Sequence, residues 1–563
     1  MNIVYEKLAH NYIISNLSLV IMYFISVLFT FPLESVLLPR LYGKLFEKIK
    51  TEKTHNDVTN VLENIKSFNV GGIIVLVSLV WLTVTLGHSF KHSIESKLIP
   101  NYLHFIRNEI FSSVIKNKSK DFSDVKTGDM ITRILDVSRF IRYLFQWSIS
   151  KFLPEIIGLI SVLTFSFFID KNIGFILLTG IIILTLITYF GGKEIVNFSK
   201  EREKGYYAIC EKMSDNFNNL INIFINNQDD KETKNNSNMH KDHSNVLTKQ
   251  MVLEKNIVLL MQIISIIVYS CALFYAYKQY SNNKIKASLF ITTILILGNY
   301  LSYLVTMNHS IISHICGTYG NIMASKDFLE EILQPPNSKN HKDFVTNGNI
   351  KFENIDFYYT KNKYVFKDFS MKINGNSKTA VVGSSGSGKS SLMKMLILLN
   401  KPQNGKITID GVDISESDYK YLRSQISYVN QKTNLFNKSV LENMMYGNKD
   451  ISEKTLTQII QRYELDSVFA KLKNGIYSNS GVNGNNLSGG MQKITILLRG
   501  ILKPSKIIVF DEPLAGLDPT TRSKVMKMIN EQCKNKTVIV ITHEKEILTY
   551  MDQVINLNKF KQV

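Results

Sequence analysis

Lys378-Thr379-Ala380-Val381-Val382-Gly383-Ser384-Ser385-Gly386-Ser387-Gly388-Lys389-Ser390-Ser391 runs from a short apolar β-type segment through Gly-x-x-x-x-Gly-Lys-Ser and into the helical pattern Leu392-Met393-Lys394-Met395-Leu396. A glycine-rich turn with those flanks is a phosphate-binding loop. Gly383, Gly386 and Gly388 let the backbone wrap until successive N–H groups point at one anion, and the following helix adds its positive N-terminal end. The cradle is therefore assigned to Gly383, Ser384, Ser385, Gly386, Ser387, Gly388, Lys389, Ser390 and Ser391. Lys389 would reach the β- and γ-phosphates, and Ser390 would ligate Mg²⁺. The alternative is a Gly/Ser-rich turn that only happens to precede a lysine, and the strand and helix flanks weigh against it.

Outward from this loop the composition divides the chain of 563 residues. Up to about Gly320 it holds apolar runs of membrane length, and beyond that it reads as a soluble α/β domain. The boundaries expected are a transmembrane domain over residues 1–325, a linker over 326–348 and a nucleotide-binding domain over 349–563. The formal charge is +19, but the lysines and arginines are scattered, with no dense basic run interleaved with aromatics. Nucleic acid is thereby excluded as a partner. Four cysteines, Cys210, Cys271, Cys316 and Cys533, stand in no metal-ligand or redox spacing. The N-terminus lacks a charged-then-apolar cleavable signal, so the first apolar segment is expected to remain as a signal anchor.

Six apolar segments are each long enough to cross a bilayer: Tyr12–Leu38, Val70–Leu86, Leu153–Ile169, Ile173–Phe190, Ile257–Tyr277 and Leu289–Met307. About 20 residues suffice for a span. Asp170-Lys171-Asn172 is the whole connection between the third and fourth segments, whereas the second-to-third and fourth-to-fifth connections are long, polar and helix-patterned. Those long connections carry Lys116, Arg133, Arg139, Lys200, Arg202 and Lys212 among their basic residues, which places them, the N-terminus and the soluble domain in the cytoplasm. Lys44, Lys48, Lys50 and Lys53 in the first outer connection run against that bias. The chain is thus expected to be a multi-pass integral protein of the lipid bilayer. The Asn226–His243 stretch reads as a solvated helix face.

Lys506-Ile507-Ile508-Val509-Phe510-Asp511-Glu512 is an apolar strand ending in two carboxylates. A buried parallel strand delivers side chains at its C-terminal end, where nucleotides bind in open α/β sheets. Asp511 would hold Mg²⁺ and Glu512 would orient or deprotonate the attacking water. Between the loop and this strand, Leu487-Ser488-Gly489-Gly490-Met491 opens a helix-like run. There Ser488 and the N–H groups of Gly489 and Gly490 make a second anion-binding start.

With these elements together, the chain resembles an ATP-binding cassette (ABC) half-transporter, an exporter-type α-helical bundle of six transmembrane helices plus an α/β P-loop NTPase domain. The resemblance implies ATP and Mg²⁺ as cofactors. It also implies a second half-transporter as partner, in a homodimer or a heterodimer, because the signature of one subunit, here Leu487–Met491, closes over nucleotide held by the other. Further positions follow from it. Tyr359, in Phe357-Tyr358-Tyr359, takes the place of the aromatic that stacks on adenine. Gln431, after Tyr428-Val429-Asn430, matches the glutamine that contacts Mg²⁺ and water. Asp518, in Ala515-Gly516-Leu517-Asp518, matches the loop that links the two sites, and His543 the histidine that contacts the γ-phosphate. Lys126–Arg133 resembles the segment after a first coupling helix near Ser119–Val125, and Asn219–Glu232 the stretch after the second.

Met491 stands where glutamine is commoner, Ala515 replaces a frequent serine, and no acidic residue lies near Val482. None of these departures removes a catalytic group. Glu34, His88, Lys151 and Glu155 lie in or near apolar runs, with Lys151 and Glu155 spaced to pair on one helix. Asn299, Tyr300, Tyr303 and Met307 recur at helical spacing, as a cavity lining or a packing stripe. The resemblance implies ATP-driven export or flipping of a lipid, peptide or amphipathic small molecule by alternating access. An importer of the same fold and an ATP-gated regulatory or channel-like protein remain the alternatives.

Overall fold

The computed structural model describes residues 4–52, 70–117, 127–333, 343–361, 363–431, 433–448 and 450–560. Contacts divide the chain into two compact units, Met1–Ile115 with Asp124–Gln334 and Lys116–Ser123 with Pro335–Val563.

In the first unit, the described residues form six helical spans: Leu17–Lys50, Val70–Asn117, Met130–Ile169, Lys171–Asn218, Asp229–Ser281 and Ala287–Ala324. Apolar side chains such as Ile160, Phe168 and Phe274 point outward, as a hydrocarbon solvent requires. The second and fourth spans are continuous helices of 48 residues and the fifth of 53. At about 1.5 Å per residue they run roughly 70–80 Å, more than twice the ~30 Å apolar thickness of a bilayer. From Asp229 on, the Asn226–His243 stretch is the mostly exposed start of the fifth.

The first apolar segment is not one helix from Tyr12. Asn16 breaks it at φ −122°, ψ 28°, its amide turning back to the Tyr12 carbonyl at 3.0 Å. Tyr12 instead belongs to the preceding helix, Val4–Ser15, with its hydroxyl on the Leu98 carbonyl at 2.8 Å. Asp170 alone separates the third and fourth helices, capping the fourth through the Asn172 N–H at 2.8 Å.

Among the described residues three π-helical turns, Leu33–Leu37, Ser148–Phe152 and Ser310–Cys316, interrupt the first, third and sixth spans. The first follows Pro32, which has no N–H to give. Around the second, side chains bond two backbone carbonyls: Tyr23 donates to Ile149 at 2.6 Å and Lys91 to Ser150 at 3.4 Å. Both donors also converge on Glu95 Oε1 at 3.2 Å, and His92 Nδ1 lies 2.8 Å from Oε2. A buried charge is tolerated in such a place only when paired in this way. Glu34 is likewise met by His88 at 2.9 Å. Lys151 lies in the second π turn and its charge acts on Glu155 four residues on, without a direct salt bridge between them. Tyr300 is fully buried, bonding the Leu177 carbonyl at 2.8 Å, and Asn299 bonds the Ser35 carbonyl at 3.1 Å. That row is packing.

Among the described residues the second unit holds two sheets. β1 (Ile350–Thr360), β2 (Lys363–Ile373), β4 (Asn404–Ile409) and β5 (Val412–Asp413) form an antiparallel sheet in the order β2-β1-β4-β5. β3 (Lys378–Val382), β6 (Ile426–Val429), β7 (Ile507–Asp511), β8 (Thr537–Ile541) and β9 (Gln553–Asn556) form a parallel one in the order β6-β7-β8-β3-β9. Both faces of the parallel sheet are covered. Ile507 and Val509 pack with the β1/β2 core, while Ile508 and Phe510 pack with the core around the helix Gly489–Leu502. This two-sided burial explains why β7 is apolar throughout.

Asp410 pins the start of this unit. Its carboxylate accepts N–H bonds from Thr346, Asn347, Gly348 and Asn349 at 2.7–3.0 Å. Burial alone would raise its pKa, but these donors hold it below the usual carboxylate range. Asp410→Ala is expected to lower stability by roughly 3 kcal/mol, measured as a drop in the thermal midpoint of the full-length protein. Because the folded pKa is depressed, the contribution is complete above the ordinary carboxylate value near ~4 and is lost as pH falls through the folded value.

Candidate functional site

Four adjacent parallel strands, β6, β7, β8 and β3, deliver their C-terminal ends to one edge. Gln431 lies two residues beyond β6, Asp511 ends β7 with Glu512 next, His543 lies two residues beyond β8, and the glycine loop follows β3. The sheet order brings together residues up to 160 positions apart in sequence, His543 and Gly383.

Glu512 adopts φ +49°, a left-handed conformation rare outside glycine, while its N–H bonds the Ile541 carbonyl of β8 at 2.9 Å. The turn takes its carboxylate off the strand line. Gln431 Nε2 donates to Glu512 Oε2 at 2.5 Å, and His543 Nε2 lies 3.8 Å from Oε1. Asp511 is buried, 3.4 Å from the Tyr428 hydroxyl and 3.5 Å from Ser390 Oγ. Burial and then the neighbouring Glu512 push its carboxyl above the usual range.

The glycine loop needs two left-handed positions, Gly386 at φ +75° and Gly388 at φ +92°. A Cβ on Gly388 would also sit 2.6 Å from Phe366 Cζ. Lys389 opens the helix Lys389–Leu396 and folds back, donating to the Gly383 carbonyl at 2.7 Å and the Ser384 carbonyl at 3.0 Å. Its ammonium pKa is lowered by burial. Ser387 Oγ is buried without a hydrogen-bond partner, and Ser385 lies exposed on the same turn. Ser390 Oγ, the Asp511 carboxylate and the Gln431 amide oxygen are hard oxygen donors, a set that suits Mg²⁺. Tyr359 is 64% exposed, and its hydroxyl is held by Ser391 Oγ at 2.9 Å and the Asn400 amide at 3.1 Å. Its ring therefore stands fixed beside the loop.

Ser488, Gly490 and Asp518 gather elsewhere, around a separate cavity of about 330 Å³. Ser488 caps the helix Gly489–Leu502 through the Met491 N–H at 3.4 Å, and Asp518 caps Pro519–Gln532 through Thr521 at 3.0 Å. No atom lies within 4 Å of where a Gly489 Cβ would be.

Three neighbours escaped the sequence. Asn558 accepts from the Ser384 N–H and hydroxyl at 2.9 and 3.0 Å, across 174 residues. Tyr428 was read only as a neighbour of Gln431. Lys493 is lowered in pKa by burial, with Asp511, Glu512 and Glu544 opposing; a lone lysine in an apolar helix was its available signal. In the second connection a short helix, Leu220–Ile225, lies within the Asn219–Glu232 stretch, with Ile221, Phe224 and Ile225 exposed. The Ser119–Val125 segment lies outside the described residues.

Comparison with known proteins supports the same assignment. The profile of the ABC transporter transmembrane region matches residues 16–305, and the ABC transporter profile matches residues 366–515. A Rickettsia felis protein described as a candidate export ATP-binding/permease protein is 26% identical over 90% of this chain and 88% of its own. The human ABC-type oligopeptide transporter ABCB9 is 24% identical over 81% of this chain and 60% of its own. The mitochondrial iron-sulfur clusters transporter ATM1 of Yarrowia lipolytica is 32% identical over 43% of this chain and 34% of its own. A bacterial Atm1-family ABC exporter with ATP bound shares the fold, with TM-score 0.80 at 17% identity, covering 97% of this chain and 93% of that one. The protein is a multi-pass integral membrane protein that binds ATP with Mg²⁺ in its cytoplasmic P-loop domain and hydrolyses it to drive transport. With one profile spanning the membrane helices and another the strands and loops of the nucleotide site, the chain belongs to the ABC transporter family.

Proposed function

We propose that the protein exports or flips an amphipathic cargo by alternating access, working as a dimer of two such chains. One observation carries the dimer: the chain's two phosphate-cradling starts lie apart, the glycine loop at one place and Ser488 with Asp518 around another cavity. A second copy in reciprocal orientation would complete both. In support of transport as the function, relatives include an oligopeptide transporter and an iron-sulfur clusters transporter. We assign residues 1–325 to the transmembrane domain, 326–348 to the linker, whose first part is the helix Lys326–Ile332, and 349–563 to the nucleotide-binding domain.

In this reading Gly383 to Ser391 hold the phosphates and Tyr359 stacks on the base. Ser390, Gln431 and Asp511 would hold Mg²⁺, which neutralises phosphate charge when bound. Glu512 accepts the proton of the water as its oxygen bonds to the γ-phosphorus and the bond to the ADP oxygen breaks. Gln431 positions the Glu512 carboxylate, and His543 donates to the γ-phosphate. Closure of two such sites is coupled to the membrane helices, and product release resets them.

Complementation tests the dimer. Ser488→Arg and Lys389→Ala chains should each fall roughly a hundredfold in ATPase when reconstituted alone, because neither pair has a complete site. Two-copy nanodiscs holding one of each contain one intact composite site and should recover about half of wild-type turnover. Recovery of nothing, with both chains shown present, would refute the reciprocal arrangement.

A further inference from the structure

Between the fifth and sixth spans lies a cavity of about 450 Å³, lined by Met251, Glu254, Lys255, Leu259, Gln262 and His309 among others. That volume suits a small ligand or a lipid head group. Met251, Lys255, Leu259 and Gln262 follow one another at steps of four, four and three residues, so they share one helix face. Met251 and Leu259 are exposed apolar side chains on that face.

Glu254 is not a loose surface carboxylate. Its Oε1 accepts from Gln250 Nε2 at 2.7 Å. Gln250 is 3% exposed, and its Oε1 accepts from Arg202 Nη1 at 3.0 Å. The other arm of Arg202 donates to the buried Asn321 Oδ1 at 2.8 Å. Groups from the fourth, fifth and sixth spans therefore fix this one carboxylate at the cavity. Lys255 and Gln262 are different: among the described residues neither makes a hydrogen bond to protein. The wall thus offers a positioned anion, an uncommitted cation and an uncommitted amide beside apolar surface.

Depth narrows the ligand. Lys255 stands two residues before the apolar run beginning at Ile257, and His309 ends the helix Ala287–His309, the side from which the chain continues to the cytoplasmic domain. The cavity is therefore level with the cytoplasmic head groups, where lipid phosphates lie. A ligand satisfying every group carries an anion for Lys255, an N–H-bearing cation for Glu254 and Gln262, and hydrocarbon for Met251 and Leu259. A trimethylammonium head group cannot donate a hydrogen bond to Glu254. A purely anionic one would set like charge against it.

We infer that this groove binds the head group of a zwitterionic aminophospholipid from the cytoplasmic leaflet, ammonium on Glu254 and phosphate on Lys255. The inference names the cargo class of the transport reading and rests on it.

The test uses full-length protein in nanodiscs of phosphatidylethanolamine, phosphatidylcholine and phosphatidylglycerol with matched acyl chains. Lipid retained after transfer to mild detergent is quantified by mass spectrometry. Wild type should enrich phosphatidylethanolamine roughly tenfold over phosphatidylcholine, the value of one charge-assisted hydrogen bond. Glu254→Gln should abolish the enrichment, and Lys255→Arg should keep it. Retention of the three lipids in bulk proportion overturns the site without any variant, as does enrichment unchanged in Glu254→Gln. Fluorescent phosphatidylethanolamine in vesicles of known orientation then separates the two readings. ATP-driven movement of the labelled lipid supports both. Enrichment without movement overturns the lipid as cargo, whereas ATP-driven movement of a peptide without lipid enrichment overturns this inference and leaves transport standing.

Discussion

Glu512→Gln is expected to leave ATP binding intact and to reduce turnover by roughly three orders of magnitude, the range for losing a positioned general base. The amide keeps the shape of the carboxylate but cannot take a proton from water. It also removes the like charge beside buried Asp511, whose carboxyl is pushed up partly by Glu512. Nucleotide should therefore accumulate as ATP rather than ADP. Single-turnover measurement in lipid bilayers, with the bound nucleotide identified, checks this directly. Turnover within tenfold of wild type would move the base to another residue. Gln431→Ala offers the contrast: Gln431 donates to Glu512 at 2.5 Å, so its loss should lower kcat while leaving the base itself in place.

The second large effect concerns the backbone. Gly388→Ala should both weaken ATP binding at least tenfold and destabilise the nucleotide-binding domain by roughly 3 kcal/mol. Two costs add at this position, a left-handed φ of +92° and a Cβ 2.6 Å from Phe366 Cζ and 2.8 Å from Val365 Cγ1. Phe366 belongs to the core under β1 and β2, so it has no free space to retreat into. Gly386→Ala is the control, since it shares the left-handed backbone at φ +75° but meets nothing within 4 Å. Only the backbone strain should remain there, about 1 kcal/mol. Equal effects at the two glycines, read from thermal midpoints and ATP titration, would mean that packing against Phe366 is irrelevant.

What could be read from the sequence was what is local. The glycine loop with its strand and helix, the strand ending in Asp511 and Glu512, and the six apolar runs each announce themselves within some twenty residues. Their assembly was less legible. Ser384 finds Asn558 across 174 positions, and Tyr23 finds Glu95 across 72; neither partner follows from spacing. A periodic reading also assumes an unbroken 3.6-residue turn. The π turn at Ser148–Phe152 violates that assumption. Asn16 was hidden because one polar residue in a long apolar run does not interrupt its hydropathy, although its backbone leaves the helix. Asp410 sits in an unremarkable turn, and its four N–H donors come from residues that composition marks only as the end of a linker.

Lys389 occupies its own cradle, with its ammonium resting on the Gly383 and Ser384 carbonyls. An arriving phosphate therefore exchanges partners with a lysine already engaged. Part of the attraction between that cation and the nucleotide is offset by the two bonds surrendered, and the same two bonds are regained when ADP leaves. On this geometry the two carbonyls compete with bound phosphate for the lysine, so the exchange lowers the net gain on binding and eases the departure of spent nucleotide.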